Sequence, residues 1–194
     1  MRVRIFRSQT ERDEFLLNLK ITQCPHCKKV GTLNRHGVLR GYDENNLKQK
    51  TIRARRVFCS NRYRADGCGR TFSVWIADKV KRLFLSADQL WAFLKQVNAT
   101  NSKRRAFEKL NSSMNESAPY RIWLRFQKAQ SSIRTALASV CLPPKPVCPP
   151  PEIDSTQLTD RPADNTLAHL SEAFAGHRLN PIAAFQLAFQ TFFI

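Results

Sequence analysis

The chain has 194 residues and a formal net charge of +17, from 32 Lys and Arg against 15 Asp and Glu. That length suits one medium domain or two small ones, and no run of about 18–20 apolar residues is present to span a bilayer. The cation surplus disfavours basic partners and points to polyanions, nucleic acid first.

The charge is unevenly spread: +2 over residues 1–23, +11 over 24–85, +7 over 86–151 and −3 over 152–194. A polyanion-binding face is therefore expected from the middle of the chain. The opening Met1-Arg2-Val3-Arg4-Ile5-Phe6-Arg7 lacks the apolar core of a signal peptide. The expectation is a cytoplasmic protein (bacterial cytoplasm or nucleoid), where thiols stay reduced and clustered cysteines favour metal over disulfide.

Residues 1–7 alternate as a strand does. Ser8 begins a short helix, with Glu11 completing a capping box and Phe15, Leu16 and Leu19 as the apolar face. Residues 1–23 are thus predicted as a strand and helix packed on the cysteine-bearing segment.

Residues 24–85 hold the strongest motif. Cys24-Pro25-His26-Cys27 is a C-x2-C pair; Cys59 and Cys68 form a second, wider pair with eight residues between them. A C-x2-C pair reaches one metal ion from a single turn, and a pair returned by a hairpin completes a tetrahedron of sulfur, the geometry of structural zinc. One structural Zn2+ held by Cys24, Cys27, Cys59 and Cys68 is predicted. His26 or His36 could replace a cysteine. Four sulfur ligands leave no position open for water, so the site is read as structural and not catalytic.

Residues 28–58 read as a hairpin. Thr32, Leu33, Val38, Leu39 and Tyr42 lie in the first arm, Asp43-Glu44-Asn45-Asn46 forms the turn, and Thr51 to Phe58 is the return arm. Arg70 to Ile76 is a third strand. The prediction is a small three-stranded antiparallel zinc ribbon whose folding energy comes largely from the metal. Arg53, Arg55, Arg56, Arg62, Tyr63 and Arg64 cluster around the second cysteine pair. There the arginines can contact phosphates and Tyr63 can stack on a base. Arg56 and Arg70 have an alternative role in neutralising the thiolate centre.

Residues 86–142 turn to helical periodicity. Ser86 with Gln89 caps a first helix whose apolar face is Leu90, Phe93, Leu94 and Val97; Lys103 to Leu110 is a second, with Phe107 and Leu110 inward. Ser117, with Pro119 in the first turn, starts a third helix running to about Val140. Tyr120, Trp123, Leu124 and Gln127 are read as one face of it. Arg121, Arg125 and Lys128, at i, i+4 and i+7, are the other. Three helices with a short turn before the last predict a helix-turn-helix-like domain with this basic stripe towards nucleic acid. The competing reading is a helical hairpin with a solvated basic face.

Residues 143–151 contain six of the ten prolines and form a linker; Cys141 and Cys148 flank it as plain thiols. Residues 152–194 form a helical tail. Leu167, Leu170 and Phe174 mark one helix ended by Gly176, and Asn180-Pro181 starts another with Ile182, Phe185, Phe189, Phe192 and Phe193 on one face. Two short helices do not bury that surface unaided. They are expected to dock on the same chain, on a second copy as a homodimer, or on a partner protein. His169 and His177 are read as surface residues.

No catalytic residues are assigned. The 15 carboxylates fall on caps, turns and the tail, and no phosphate-cradling glycine loop is present. The segments Cys24-Pro25-His26-Cys27, Arg35-His36-Gly37, Val57-Phe58-Cys59-Ser60-Asn61 and Gly67-Cys68-Gly69-Arg70-Thr71-Phe72 resemble the N-terminal zinc ribbons of insertion-sequence transposases. The last two segments are also similar to the zinc-binding late-gene activators of some phages. Tyr120 to Phe126 resembles the helix-turn-helix that often follows such ribbons. The second cysteine pair is wider than in those ribbons, and the acidic catalytic domain of a transposase is missing. The resemblance implies binding of duplex DNA at terminal repeats or operators, alongside a transposase or recombinase, without strand transfer. RNA binding or transcription regulation is the alternative. The fold class expected is α+β: ribbon, helical domain and helical tail.

Overall fold

The longest sheet strands carry the basic and β-branched residues of the predicted hairpin. In the computed structural model, which describes residues 2–44, 46, 48–62, 65–110, 115–144 and 162–194, strands β2 (Leu33–Tyr42) and β3 (Lys50–Cys59) pair antiparallel. Strand β4 (Thr71–Ile76) pairs antiparallel with β3, matching Val57 to Phe72 and Ala54 to Trp75. The expected three strands are present, but the sheet has a fourth. Strand β1 (Val3–Phe6) lies parallel to β4, Val3 opposite Ser73 and Ile5 opposite Trp75, giving the order β1-β4-β3-β2. The sheet is therefore mixed. Gln190 caps its β1 edge. Its side-chain oxygen accepts from the Ile5 amide at 2.8 Å and its side-chain nitrogen donates to the Ile5 carbonyl at 2.9 Å. A side-chain amide thus occupies hydrogen-bonding positions that an additional strand would use.

The sheet separates two apolar clusters because successive side chains on a strand alternate faces. One face carries Leu33, Val57, Phe72 and Val74 against Phe15, Leu16 and Leu19 from helix α1 (Gln9–Leu17) and the turn after it. Ser8 caps α1 as expected, accepting from the Glu11 amide. The Glu11 carboxylate takes the Arg7 amide, one residue before the position a full capping box uses.

The opposite face carries Ile5, Ala54 and Trp75 against five helices: α2 (Ala87–Thr100), α3 (Lys103–Glu108), α4 (Ala118–Leu137), α5 (Pro162–Ala173) and α6 (Pro181–Phe189). These share one core, so the predicted three-helix bundle is part of a larger helical body. The Ser86–Gln89 capping box of α2 forms in full. The buried face of α4 is Ile122, Phe126, Gln130, Ile133 and Leu137. Tyr120 and Leu124, read as one face with Trp123, are 55% and 50% exposed, whereas Trp123 packs against the core. The i, i+4 spacing governs which residues meet the core.

The tail helices bury their apolar residues within the same chain. Leu167, Leu170, Ile182, Phe185 and Phe193 join the α2–α4 core, and Phe193 stacks on Phe126 with ring centres 6.0 Å apart. Gln186 donates to the carbonyl of Ala77 at 2.6 Å. His169 is 1% exposed rather than on the surface, its Nε2 lying 3.0 Å from the Cys141 carbonyl oxygen. His177 is exposed, as expected. Cys148 and most of the proline-rich linker fall outside the described residues. No described helix is long and apolar enough to cross a membrane.

Candidate metal centre and basic surface

Two turns bring the four cysteines together. The first folds Cys24 to Lys29 back on itself: Lys28 N–H donates to the Cys24 carbonyl and Cys24 N–H to the Lys29 carbonyl, both at 2.9 Å. Lys28 adopts a left-handed φ of 65° to close it. The second starts at the end of β3. Gly67 N–H donates to the Ser60 carbonyl and Gly69 N–H to the Cys59 carbonyl. Although the pair is six residues wider than a C-x2-C, its cysteines return to the same place. Gly67 is obligatory in that turn, since a Cβ there would lie 2.2 Å from the Ser60 carbonyl oxygen and 2.7 Å from the Cys59 sulfur.

The four Sγ atoms lie within 4.8 Å of one another. Cys24 and Cys68 are 3.9 Å apart and Cys27 and Cys59 3.6 Å. Metal–sulfur bonds of about 2.3 Å give a tetrahedron with an edge of about 3.8 Å. The spacing fits one ion among four thiolates and is far too long for a disulfide. The sulfurs receive further donors: His26 N–H to Cys24 at 3.4 Å and Cys68 N–H to Cys59 at 3.3 Å. The Thr32 hydroxyl lies 3.1 Å from the Cys59 sulfur. Such contacts orient and stabilise thiolate ligands. Burial pushes the Cys24 thiol up to about 12, whereas the Lys29 backbone amide brings Cys27 down to about 7. A bound cation would be needed to hold Cys24 as thiolate at neutral pH. Neither His26 nor His36 belongs to the cluster. His36 packs on Phe58 with ring centres 5.4 Å apart, and burial, with Arg2 and Arg70 nearby, lowers the His26 pKa.

The arginines expected to meet nucleic acid have different fates. Arg53 does not face solvent; it is 5% exposed. A bulge is the cause. Leu39 pairs with Ala54 and Arg40 with Ile52, so Arg53 is the unpaired extra residue of β3 and turns inward beside Ala54. Its guanidinium pairs with Glu44 at 3.0 Å and donates to the carbonyls of Val80 (3.3 Å) and Leu83 (2.9 Å). Arg55 and Arg56 are half-buried, and Arg56 donates to the Thr71 hydroxyl at 3.4 Å. Arg62 is exposed on the second knuckle; Tyr63 and Arg64 lie outside the described residues. Arg121, Arg125 and Lys128 are all exposed on α4. Arg121 donates to the Ser117 hydroxyl at 2.8 Å, and Arg125 reaches the Arg82 carbonyl at 3.4 Å. The class this defines is an α+β chain with four clustered cysteines that could hold a metal ion. No family model, curated protein or solved structure matches the chain.

Proposed function

We propose that this chain is a DNA-binding protein related to transposase-associated ribbons but lacking a catalytic domain. In this reading one structural zinc ion is held by Cys24, Cys27, Cys59 and Cys68. The observation that carries it is the exposure of Arg121, Arg125 and Lys128 on one flank of α4. This stripe belongs to a chain of net charge +17 that also carries a four-thiol centre. Zinc is the metal of choice for four sulfurs at this spacing, because it takes a closed tetrahedron without redox chemistry. It would offset half of the thiolate charge and fix the knuckles that position Arg62. Phosphate contacts by the cations would supply affinity and make it strongly salt-dependent.

A second reading, RNA binding, is favoured by the half-exposed Phe58 beside His36 on the sheet, since unpaired bases stack on such rings. One experiment separates the two. Labelled duplex DNA is titrated with the zinc-loaded protein at several salt concentrations, with structured RNA as competitor. DNA binding that weakens steeply with salt and resists RNA supports the DNA reading. Equal affinity for RNA replaces it with the second, and no binding to either removes both.

A further inference from the structure

Arg53, expected to meet nucleic acid directly, is buried behind a turn that bears two other cations. Its guanidinium holds the carbonyls of Val80 and Leu83, and Glu44 holds it in place. The carbonyl of Arg82, between them, takes Arg125 from α4. Arg82 itself has a left-handed φ of 59°, an uncommon state for a residue with a side chain. Arg53 thus ties the turn from inside through two carbonyls and Arg125 reaches a third from α4, leaving the Lys81 and Arg82 side chains outward; Arg82 is exposed and Lys81 half-exposed.

Across from the turn stands the basic stripe of α4. Lys81, Arg82, Arg125 and Lys128 line one cleft of ≈ 490 Å³. Arg82 and Arg125 continue into a second cleft with Arg121, and Lys81 into a third with Arg2. Arg2 in turn donates to the Pro25 carbonyl in the first cysteine knuckle. Among the described residues lining the three clefts, no side chain is a carboxylate. Phe84 and Phe192 supply apolar floor, with the Lys81 ammonium 5.0 Å from the Phe192 ring centre.

We infer that these joined clefts form a trough that seats one phosphodiester strand of DNA, contacted through its phosphates and not its base edges. The inference rests on the DNA-binding reading and deepens it. A recognition helix must stand clear of its surroundings to enter a major groove. Here the basic stripe of α4 forms one wall of a trough whose other wall is the Lys81–Arg82 turn. Cations on opposite walls match a single line of negative charge, and phosphate contacts of this kind position a protein without reading sequence. Arg53 then acts as a positioning residue for the turn.

The test compares the zinc-loaded full chain with Lys81→Ala, Arg82→Asn and the double variant, in salt titrations on two duplexes of unrelated sequence. Asn tolerates a left-handed φ, so Arg82→Asn removes charge without strain. Arg104→Ala, exposed on α3 outside the trough, is the control. Each trough variant is expected to lower the log–log salt slope by about one and the double variant by about two, equally on both duplexes. Wild-type binding that the trough variants leave unchanged overturns the trough while the DNA reading stands. A loss confined to one duplex, or an equal loss in Arg104→Ala, also overturns it. Absence of wild-type DNA binding removes the reading itself.

Discussion

Gly67 sits where the second knuckle turns back against the Ser60 carbonyl and the Cys59 sulfur. A methyl group at Gly67 would meet a backbone carbonyl and a ligand sulfur, neither free to move away. Gly67→Ala is therefore expected to cost about 1–3 kcal/mol, as overpacking does, and to displace the Cys59 sulfur. Substituting Co2+ makes the displacement visible: the absorption bands of the tetrahedral thiolate site should shift in Gly67→Ala. Gly31→Ala, where φ is 80° but nothing lies within 4 Å, should carry only backbone strain and leave those bands in place. Identical spectra in all three proteins would mean that Gly67 does not define the site. Arg53 gives a second test. With Glu44 replaced by Ala, its guanidinium stays buried without its carboxylate, which typically costs about 3–5 kcal/mol. The double variant Glu44→Ala, Arg53→Met should recover part of that loss in urea unfolding, because the buried guanidinium is gone too, while Lys79, the other cation on Glu44, keeps Asp78 at 3.7 Å. If the double variant is as unstable as the sum of two single losses, the pair is not coupled. Nothing in the strand's alternation announces this role for Arg53; the bulge that turns it inward depends on how β2 registers with β3.

Among the elements, those set by neighbours in sequence were the legible ones. Ser86 with Gln89, Ser117 with Pro119, and Asn180 with Pro181 mark the starts of α2, α4 and α6, and the helices begin there. The cysteines were legible as two pairs, and the predicted hairpin, β2 with β3, is what brings the pairs together. The features that depend on distant partners were not. β1 joins β4 in parallel from the far end of the sheet segment. On α4, Trp123 packs against the core but Tyr120 and Leu124 do not, because the helix packs by its Ile122, Phe126, Ile133 and Leu137 positions, against α5 among others. The tail shows most clearly what tertiary packing decides, because its aromatic face finds the core of its own chain. Phe193→Ala should therefore cost about 3–5 kcal/mol. Leu142→Ala, at a side chain 83% exposed, should change stability by less than about 0.5 kcal/mol. Denaturant midpoints read both. A near-neutral Phe193→Ala would mean that the tail is docked only loosely.

At the scale of the whole molecule, the sheet stands between two cores that draw stability from different sources. One contains two of the four clustered cysteines, Cys24 and Cys59, beside Leu33, Val57, Phe72 and Val74. Without a metal, four sulfurs within 4.8 Å of one another gain nothing from their proximity, and the small α1-side cluster is left to hold both knuckles. Structural metal sites of this type contribute folding energy outright. The helical core spans α2 to α6 and contains no cysteine ligand. Chelation should accordingly act in halves. Amide exchange should accelerate at the knuckle end, over residues 24–35 and 57–72, while α2, α4 and α6 stay protected. DNA affinity should fall only in part, since the Lys81–Arg82 turn is tied to Arg53 and α4, while Arg2 is anchored to the first knuckle and Arg62 sits on the second. The salt slope would then drop by about two on metal removal, the share of these two phosphate contacts. If exchange instead accelerates in α2, α4 and α6 together with the knuckles, the two cores unfold as one. The sheet between them would then transmit the loss of metal to the whole chain.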